Sequence, residues 1–304
     1  MSSAQPPGSS LPGSGLQGPR NRAPRRALNR ALGLLLGCHP LPCLAVTAFA
    51  TAYAAAIGAR GDRLIAIAIA VLSGQLVVGW SNDAIDAPRD LAARRPDKPV
   101  SAGLIEGRSL AIAALIAAVA CVVLSLRLGA AAGWLHLLAV GSAVGYNAGL
   151  KTTVLSPLPY LLSFGLLPVV VTFAVTGHGR TPLAHIVAAT LLGGAAHAGN
   201  TVGDTAADAA TGVRGLPQRL GPQRSLIVMA MLVAAAAIVL LATVLTANDT
   251  TTWRRVSAEV LLVAGMTLAA VGALRRVGVP GGKAAWRLTL LAVTLVIAGF
   301  LAAV

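Results

Sequence analysis

An all-α, polytopic membrane bundle of about nine transmembrane helices is the architecture that this chain of 304 residues calls for, on three observations. Hydrophobic residues make up 56% of the chain against 11% charged, and the mean hydropathy is +0.77. A soluble domain typically carries about 25% charged residues, so lipid is the expected solvent. Apolar stretches near the ~20-residue length of a membrane span recur along the chain with short polar breaks. Finally, most of the 24 Lys and Arg fall in alternate breaks, the bias of one sign that orients membrane proteins.

The stretches run over about residues 33–57, 63–82, 109–127, 131–150, 154–176, 184–203, 225–247, 256–274 and 286–303. Residues 1–27 are rich in Ser, Gly and Pro and lack apolar periodicity. They are expected to form a disordered basic tail, with one transmembrane domain over 28–304. In the first span, Pro40 and Pro42 are expected to kink the helix or delay its start.

With the N-terminus inside, the basic tail and the loops after the second, fourth, sixth and eighth helices become cytoplasmic. Those segments hold Arg89, Arg94, Arg95, Lys98 and Arg108, then Lys151, then Arg214, Arg219 and Arg224, then Arg275, Arg276, Lys283 and Arg287. The sequence therefore implies an integral protein of the lipid bilayer, in the plasma membrane, with N-terminus and polar site on the cytoplasmic side. The net charge of +14 is accounted for by topology, so no nucleic-acid partner is expected. Cys38, Cys43 and Cys121 lie in apolar stretches and read as packing residues rather than a disulfide or zinc framework.

Of the ten acidic residues, five lie in two clusters. Asn82, Asp83, Asp86 and Asp90 close the second apolar stretch; Asn200, Asp204 and Asp208 close the sixth. Four spans separate them, which puts both on one membrane face. Asn82, Asp86 and Asp90 are four residues apart, as are Asn200, Asp204 and Asp208. On a helix such residues share a face at about 40° steps. Asp83 broadens the first fan, and Pro88 leaves Asp90 on helix or loop. Clustered carboxylates repel unless neutralised, and hard oxygen donors suit Mg²⁺ bridging carboxylates to substrate phosphates. Arg94, Arg95 and Lys98 after the first cluster, and Arg214 and Arg219 after the second, supply cations for phosphate oxygens. They serve equally as topology determinants. A buried polar role within the bundle is the expectation for His197. His39, His136, His178 and His185 share no spacing and are assigned nothing.

The first motif, N-D-x-x-D-x-x-x-D at Asn82, Asp83, Asp86 and Asp90, and the second, D-x-x-x-D at Asp204 and Asp208, resemble those of the UbiA superfamily of intramembrane prenyltransferases. Lys98-Pro99-Val100-Ser101-Ala102-Gly103 is similar to the family's R-P-x-x-S-G segment, and Thr211 to Pro217 to its basic turn. One element departs from the pattern: the family's Y-x-x-x-K is represented by Tyr146 and Lys151, five apart. On a regular helix Lys151 would swing about 140° from the tyrosine face, whereas from a loop or bulge it would still reach the diphosphate.

The resemblance implies a helical bundle with a central apolar cavity for an isoprenoid chain. Mg²⁺ would be held by Asn82, Asp83, Asp86, Asp90, Asn200, Asp204 and Asp208, with the five aspartates catalytic. Arg94, Arg95, Lys98, Tyr146, Lys151 and Arg214, with the two asparagines, would bind a prenyl diphosphate substrate. The implied reaction is ionisation of the diphosphate and prenyl transfer to a small aromatic or other acceptor. A terpene cyclase of the same superfamily would need the same motifs, capturing the cation with its substrate's own double bonds. A cation transporter or channel is the reading from another class. Carboxylates at one face rather than near the midplane argue against it.

Overall fold

The computed structural model describes residues 22–178, 180–202, 212–246, 251–274 and 282–304. Among these residues the chain is helical: α1 (Arg22–Gly37), α2 (Pro40–Ala56), α3 (Gly61–Ala92), α4 (Gly107–Leu126), α5 (Ala130–Ala148), α6 (Leu158–Thr176), α7 (Leu183–Val202), α8 (Leu216–Leu220), α9 (Pro222–Thr246), α10 (Thr252–Leu274) and α11 (Gly282–Ala303). Successive long helices pack on one another, and α11 returns to touch α2, so the bundle closes on itself.

Among the described residues, five helices (α3, α4, α6, α9 and α10) are long and apolar enough to cross a membrane, or six if the bent pair α1–α2 counts as one. The chain is an integral membrane protein, but its span count stays below nine by that measure. The shortfall has a physical origin. The polar groups His136, Tyr146 and Asn147 lie on α5, and His185, His197 and Asn200 on α7. Of these, His136, Asn147, His185 and His197 are buried, where bundle partners replace lipid as their surroundings. Ser125 Oγ lies 2.7 Å from His136 Nδ1, and Tyr53 Oη lies 3.0 Å from His185 Nδ1.

Two boundaries differ from expectation. Helix α1 begins at Arg22, inside the stretch expected to lack structure, and breaks from α2 by 55° at His39, whose φ is 55°. The two prolines thus end one helix and begin another, as Pro at the first helical positions favours. Helix α3 runs on for 32 residues, through Pro88, to Ala92. Asp90 is therefore helical and not on a loop. Pro88 sits about one turn from the end, where its missing N–H removes a single ladder bond. The exposed carbonyls that follow are satisfied: Ala93 N–H donates to Arg89 O, and Arg95 N–H and Ser101 Oγ donate to Asp90 O.

The core is built from small residues and close backbone approach, as membrane helix packing favours. A Cβ at Gly193 would stand 2.6 Å from Tyr160 O, and one at Gly265 would stand 2.7 Å from Val296. At the end away from the acidic motif, Phe300 is fully buried against Phe49, Tyr53 and His185, with ring centroids 5.0–5.8 Å apart.

Candidate active site

The last three turns of α3 carry the first acidic motif. At 100° per residue, Asp83, Asp86 and Asp90 fall within an arc of about 60°, because alternating steps of three and four track the 3.6-residue turn better than steps of four. All three are buried, whereas Asn82 lies about 40° outside that arc and is half buried. The functional face is thus centred on the three aspartates, and Asn82 serves it by donating from Nδ2 to Asp83 Oδ1 at 3.1 Å.

Buried carboxylates need partners, and they come from four separate segments. Lys98 Nζ donates to Asp83 Oδ1 at 2.8 Å from the loop after α3. His39 Nε2 approaches the same oxygen at 2.9 Å from the α1–α2 break. Asp86 takes Lys151 Nζ on Oδ1 at 2.5 Å and Arg89 on Oδ2 at 3.0 Å. Asp90 has Arg95 at 4.0 Å, while Arg95 bonds more closely to Asp97 at 2.7 Å. That bond holds the Asp97 carboxyl below its ordinary range.

The helical swing anticipated for Lys151 does not arise. Helix α5 ends at Ala148, and Lys151 lies on a 3₁₀ turn, Leu150–Thr152, which returns it to Asp86. Burial pulls the Lys151 ammonium below the ordinary lysine value, and the hydrogen bond it donates to Asp86 opposes that shift. An apolar recess of about 480 Å³, lined by Leu150, Leu158 and Leu162, adjoins this turn.

Tyr146 lies in a ring cluster instead, edge-on to Tyr160 at 5.2 Å and to His197 at 5.7 Å. His197 is buried, with Nε2 3.1 Å from Ser156 Oγ. Asn200 is exposed and donates to Tyr160 Oη at 3.0 Å. Gly215 packs against the Lys151 carbonyl, and Leu216 N–H donates to Ser156 Oγ. Segments flanking the second motif therefore lie beside the Lys151 turn, while Asp204 and Asp208 fall outside the described residues. Arg94 and Arg214 are exposed, and among the described residues neither pairs with Asp83, Asp86 or Asp90.

Two contacts escaped the sequence reading: His39 and Arg89. The i, i+3 spacing of Asp86 and Arg89 on one helix was a usable signal. For His39 the only signal was the proline-flanked break. Its side chain is 39% exposed, so His39→Ala is expected to cost little stability. It should lower turnover by about tenfold, the scale of one charged hydrogen bond. His39→Gln, which keeps an N–H donor, should retain most activity; equal loss in both variants would remove the hydrogen bond as the cause.

The donor chemistry fits a hard divalent cation. Asp83 Oδ2 and Asp90 Oδ1 are buried without a hydrogen-bond partner among the described residues, and unpaired carboxylate oxygens are the ligands Mg²⁺ takes. No group of three or more His, Cys, Asp or Glu converges on one point among those residues.

The model of the UbiA prenyltransferase family matches residues 43–288. The chain belongs to that family. Its fold is similar to the structure described for digeranylgeranylglyceryl phosphate synthase in membranes, at TM-score 0.65 and 16% identity, covering 90% of this chain and 97% of that one. A UbiA homologue from Aeropyrum pernix K1 matches at TM-score 0.62 and 19% identity, covering 84% and 95%. One from Archaeoglobus fulgidus, bound to GPP and Mg²⁺, matches at TM-score 0.62 and 17% identity, covering 88% and 99%. At these identities the likeness is one of fold. No curated protein matches the chain.

Proposed function

We propose that this UbiA-family protein is a Mg²⁺-dependent intramembrane prenyltransferase. It ionises an isoprenoid diphosphate at the cytoplasmic face of the plasma membrane and transfers the prenyl group to a small acceptor. The observation that carries this reading is the buried Asp83–Asp86–Asp90 face with Lys98 and Lys151 set directly on it. The GPP and Mg²⁺ bound by the Archaeoglobus fulgidus homologue add support. The basic residues of alternate loops support the orientation.

In this reading Asp83, Asp86 and Asp90, with Asn82, hold Mg²⁺ from one side, and Asn200, Asp204 and Asp208 complete the site. Bound Mg²⁺ offsets negative charge on the diphosphate as its bond to the prenyl carbon breaks. Lys98 and Lys151 donate N–H bonds to the same oxygens, and being fixed by Asp83 and Asp86 they need little reorganisation to do so. Arg95, beside Asp90, adds positive charge; the exposed Arg94 and Arg214 contribute from the rim. Apolar helix walls keep water from the allylic cation until the acceptor's electron pair closes the new bond and its proton is lost.

A terpene cyclase is the second reading, and one observation favours it. Tyr146, Tyr160, Phe164 and His197 form a contiguous ring cluster, the kind of surface that stabilises a cation. Purified protein incubated with Mg²⁺ and geranyl, farnesyl or geranylgeranyl diphosphate, with and without an aromatic acceptor, separates the two. Prenylated acceptor, abolished by EDTA and restored by Mg²⁺, supports the transferase. A cyclic hydrocarbon or terpene alcohol formed without acceptor supports the cyclase. Product formation that ignores EDTA would sink both.

A further inference from the structure

Helix α2, at the short end of the ~17–25 residues that cross a bilayer, can reach across without α1. Helix α2 alone has 17 residues, about 26 Å of rise, and the 55° bend turns α1 off its axis. Only one edge of α1 packs on the body: a Cβ at Gly33 would meet Ile105 at 2.7 Å, and one at Gly37 would meet Leu110 at 2.9 Å. A second face is apolar and uncovered. Leu28, Leu32, Leu35 and Leu36 are 68%, 41%, 56% and 41% exposed and lie within an arc of about 100°. Arg26 and Arg30 are centred roughly 150° from that stripe, and both are exposed without an ion pair among the described residues.

Beneath those arginines lies a cavity of about 600 Å³, closed by the loop at Gly103–Glu106 and the start of α4. Arg26, Asn29, Arg30 and Ser109 give it donors, with Glu106 the one carboxylate on its wall. Leucines on one face and unpaired arginines on another are the makeup of a helix that lies in the membrane interface. Arginine is suited to phosphate, which its planar fork binds in bidentate fashion.

We propose that α1 is an interfacial helix that binds an anionic phospholipid. Its leucine stripe enters the acyl region, and Arg26 and Arg30 hold the headgroup phosphate in the cavity against α4. The occupant is an anionic lipid rather than a zwitterionic one, because two arginines face a single carboxylate and leave net positive charge to be met. This site is separate from the aspartate face, and its test needs no catalytic turnover.

The full-length protein in nanodiscs, spin-labelled at Leu32→Cys, reports the first half of the inference; the three native cysteines are buried. The label is expected to be open to oxygen and shielded from a water-soluble nickel complex. The reverse pattern overturns an interfacial α1. The second half is read by titrating lipid-stripped protein with short-chain phosphatidylglycerol, phosphatidylcholine and inorganic phosphate. Phosphatidylglycerol should bind best, and Arg26→Gln with Arg30→Gln should weaken it roughly 30-fold, about a fivefold factor per arginine. Arg26→Lys with Arg30→Lys should keep most of the affinity. Equal binding of both lipids, or inorganic phosphate binding as well as phosphatidylglycerol, would overturn the lipid assignment. Should the Gln variant lose its thermal transition, the wild-type lipid comparison and the Lys variant still decide.

Discussion

Replacing Asp86 by Ala is expected to lower product formation by about 10²–10³-fold or more, the scale seen when one charge-stabilising group leaves a preorganised site. It should also destabilise the fold. The Lys151 side chain is 10% exposed and Asp86 8%, so the single substitution strands an ammonium in a low-dielectric setting. Breaking such a buried pair costs about 3–5 kcal/mol, whereas replacing both partners by apolar groups is often neutral. The double variant Asp86→Ala with Lys151→Met should therefore recover thermal stability without recovering activity. A double-mutant cycle read by both thermal unfolding and product formation separates the two roles of Asp86. If activity returned together with stability, Asp86 would be a structural residue and the proposed reaction would lose its central group.

The second large effect is expected far from any charge. Gly79 lies four residues before Asp83 on α3, and a Cβ there would stand 2.5 Å from the carbonyl oxygen of Cys38 and 2.8 Å from its Cα. The obstacle is backbone, which cannot rotate away as a side chain can. Gly79→Val must drive α3 away from the α1–α2 break, whose next residue, His39, contacts Asp83. The nearby bond from Trp80 Nε1 to Leu34 O, at 2.8 Å, should be lost with it. Overpacking of this kind costs about 1–3 kcal/mol, and a fall in Tm of roughly 2–5 °C follows for a chain of this size. Activity should fall further than stability alone explains, because Asp83 shifts with the helix. A Gly79→Val protein with unchanged Tm would show that the two segments do not approach as described.

Much of the architecture was legible before any coordinates, for reasons particular residues make plain. Lipid requires helices, so the apolar stretches at 109–127 and 256–274 foretold α4 and α10 within a few residues. The acidic motif was legible because charge is rare in such a chain, so Asp83, Asp86 and Asp90 stood out without knowledge of the fold. The end of α3 was not legible, since Pro88 is a local stop signal. What carries the helix past it is the set of donors at Ala93, Arg95 and Ser101, which only the folded loop supplies. Hydropathy does not reach nine spans among the described residues, because it reads α5 and α7, which carry polar groups, as weak spans. His39 was illegible because its meeting with Asp83 crosses 44 positions and depends on a left-handed break that no periodicity announces. Lys151 lies on a turn after α5, the loop position that its five-residue spacing from Tyr146 left open.

The reach of α3 carries one more consequence. At 32 residues it is about 48 Å long, well beyond the ~30 Å hydrocarbon layer. A helix that long belongs to two solvents at once, and its aspartates occupy the final third, at the watery end. A molecule with a charged head and a greasy tail laid along it takes the posture that surrounding lipids already hold. For the prenyl diphosphate proposed above, head and tail would each stay in the medium it prefers, and neither would have to cross the other's territory.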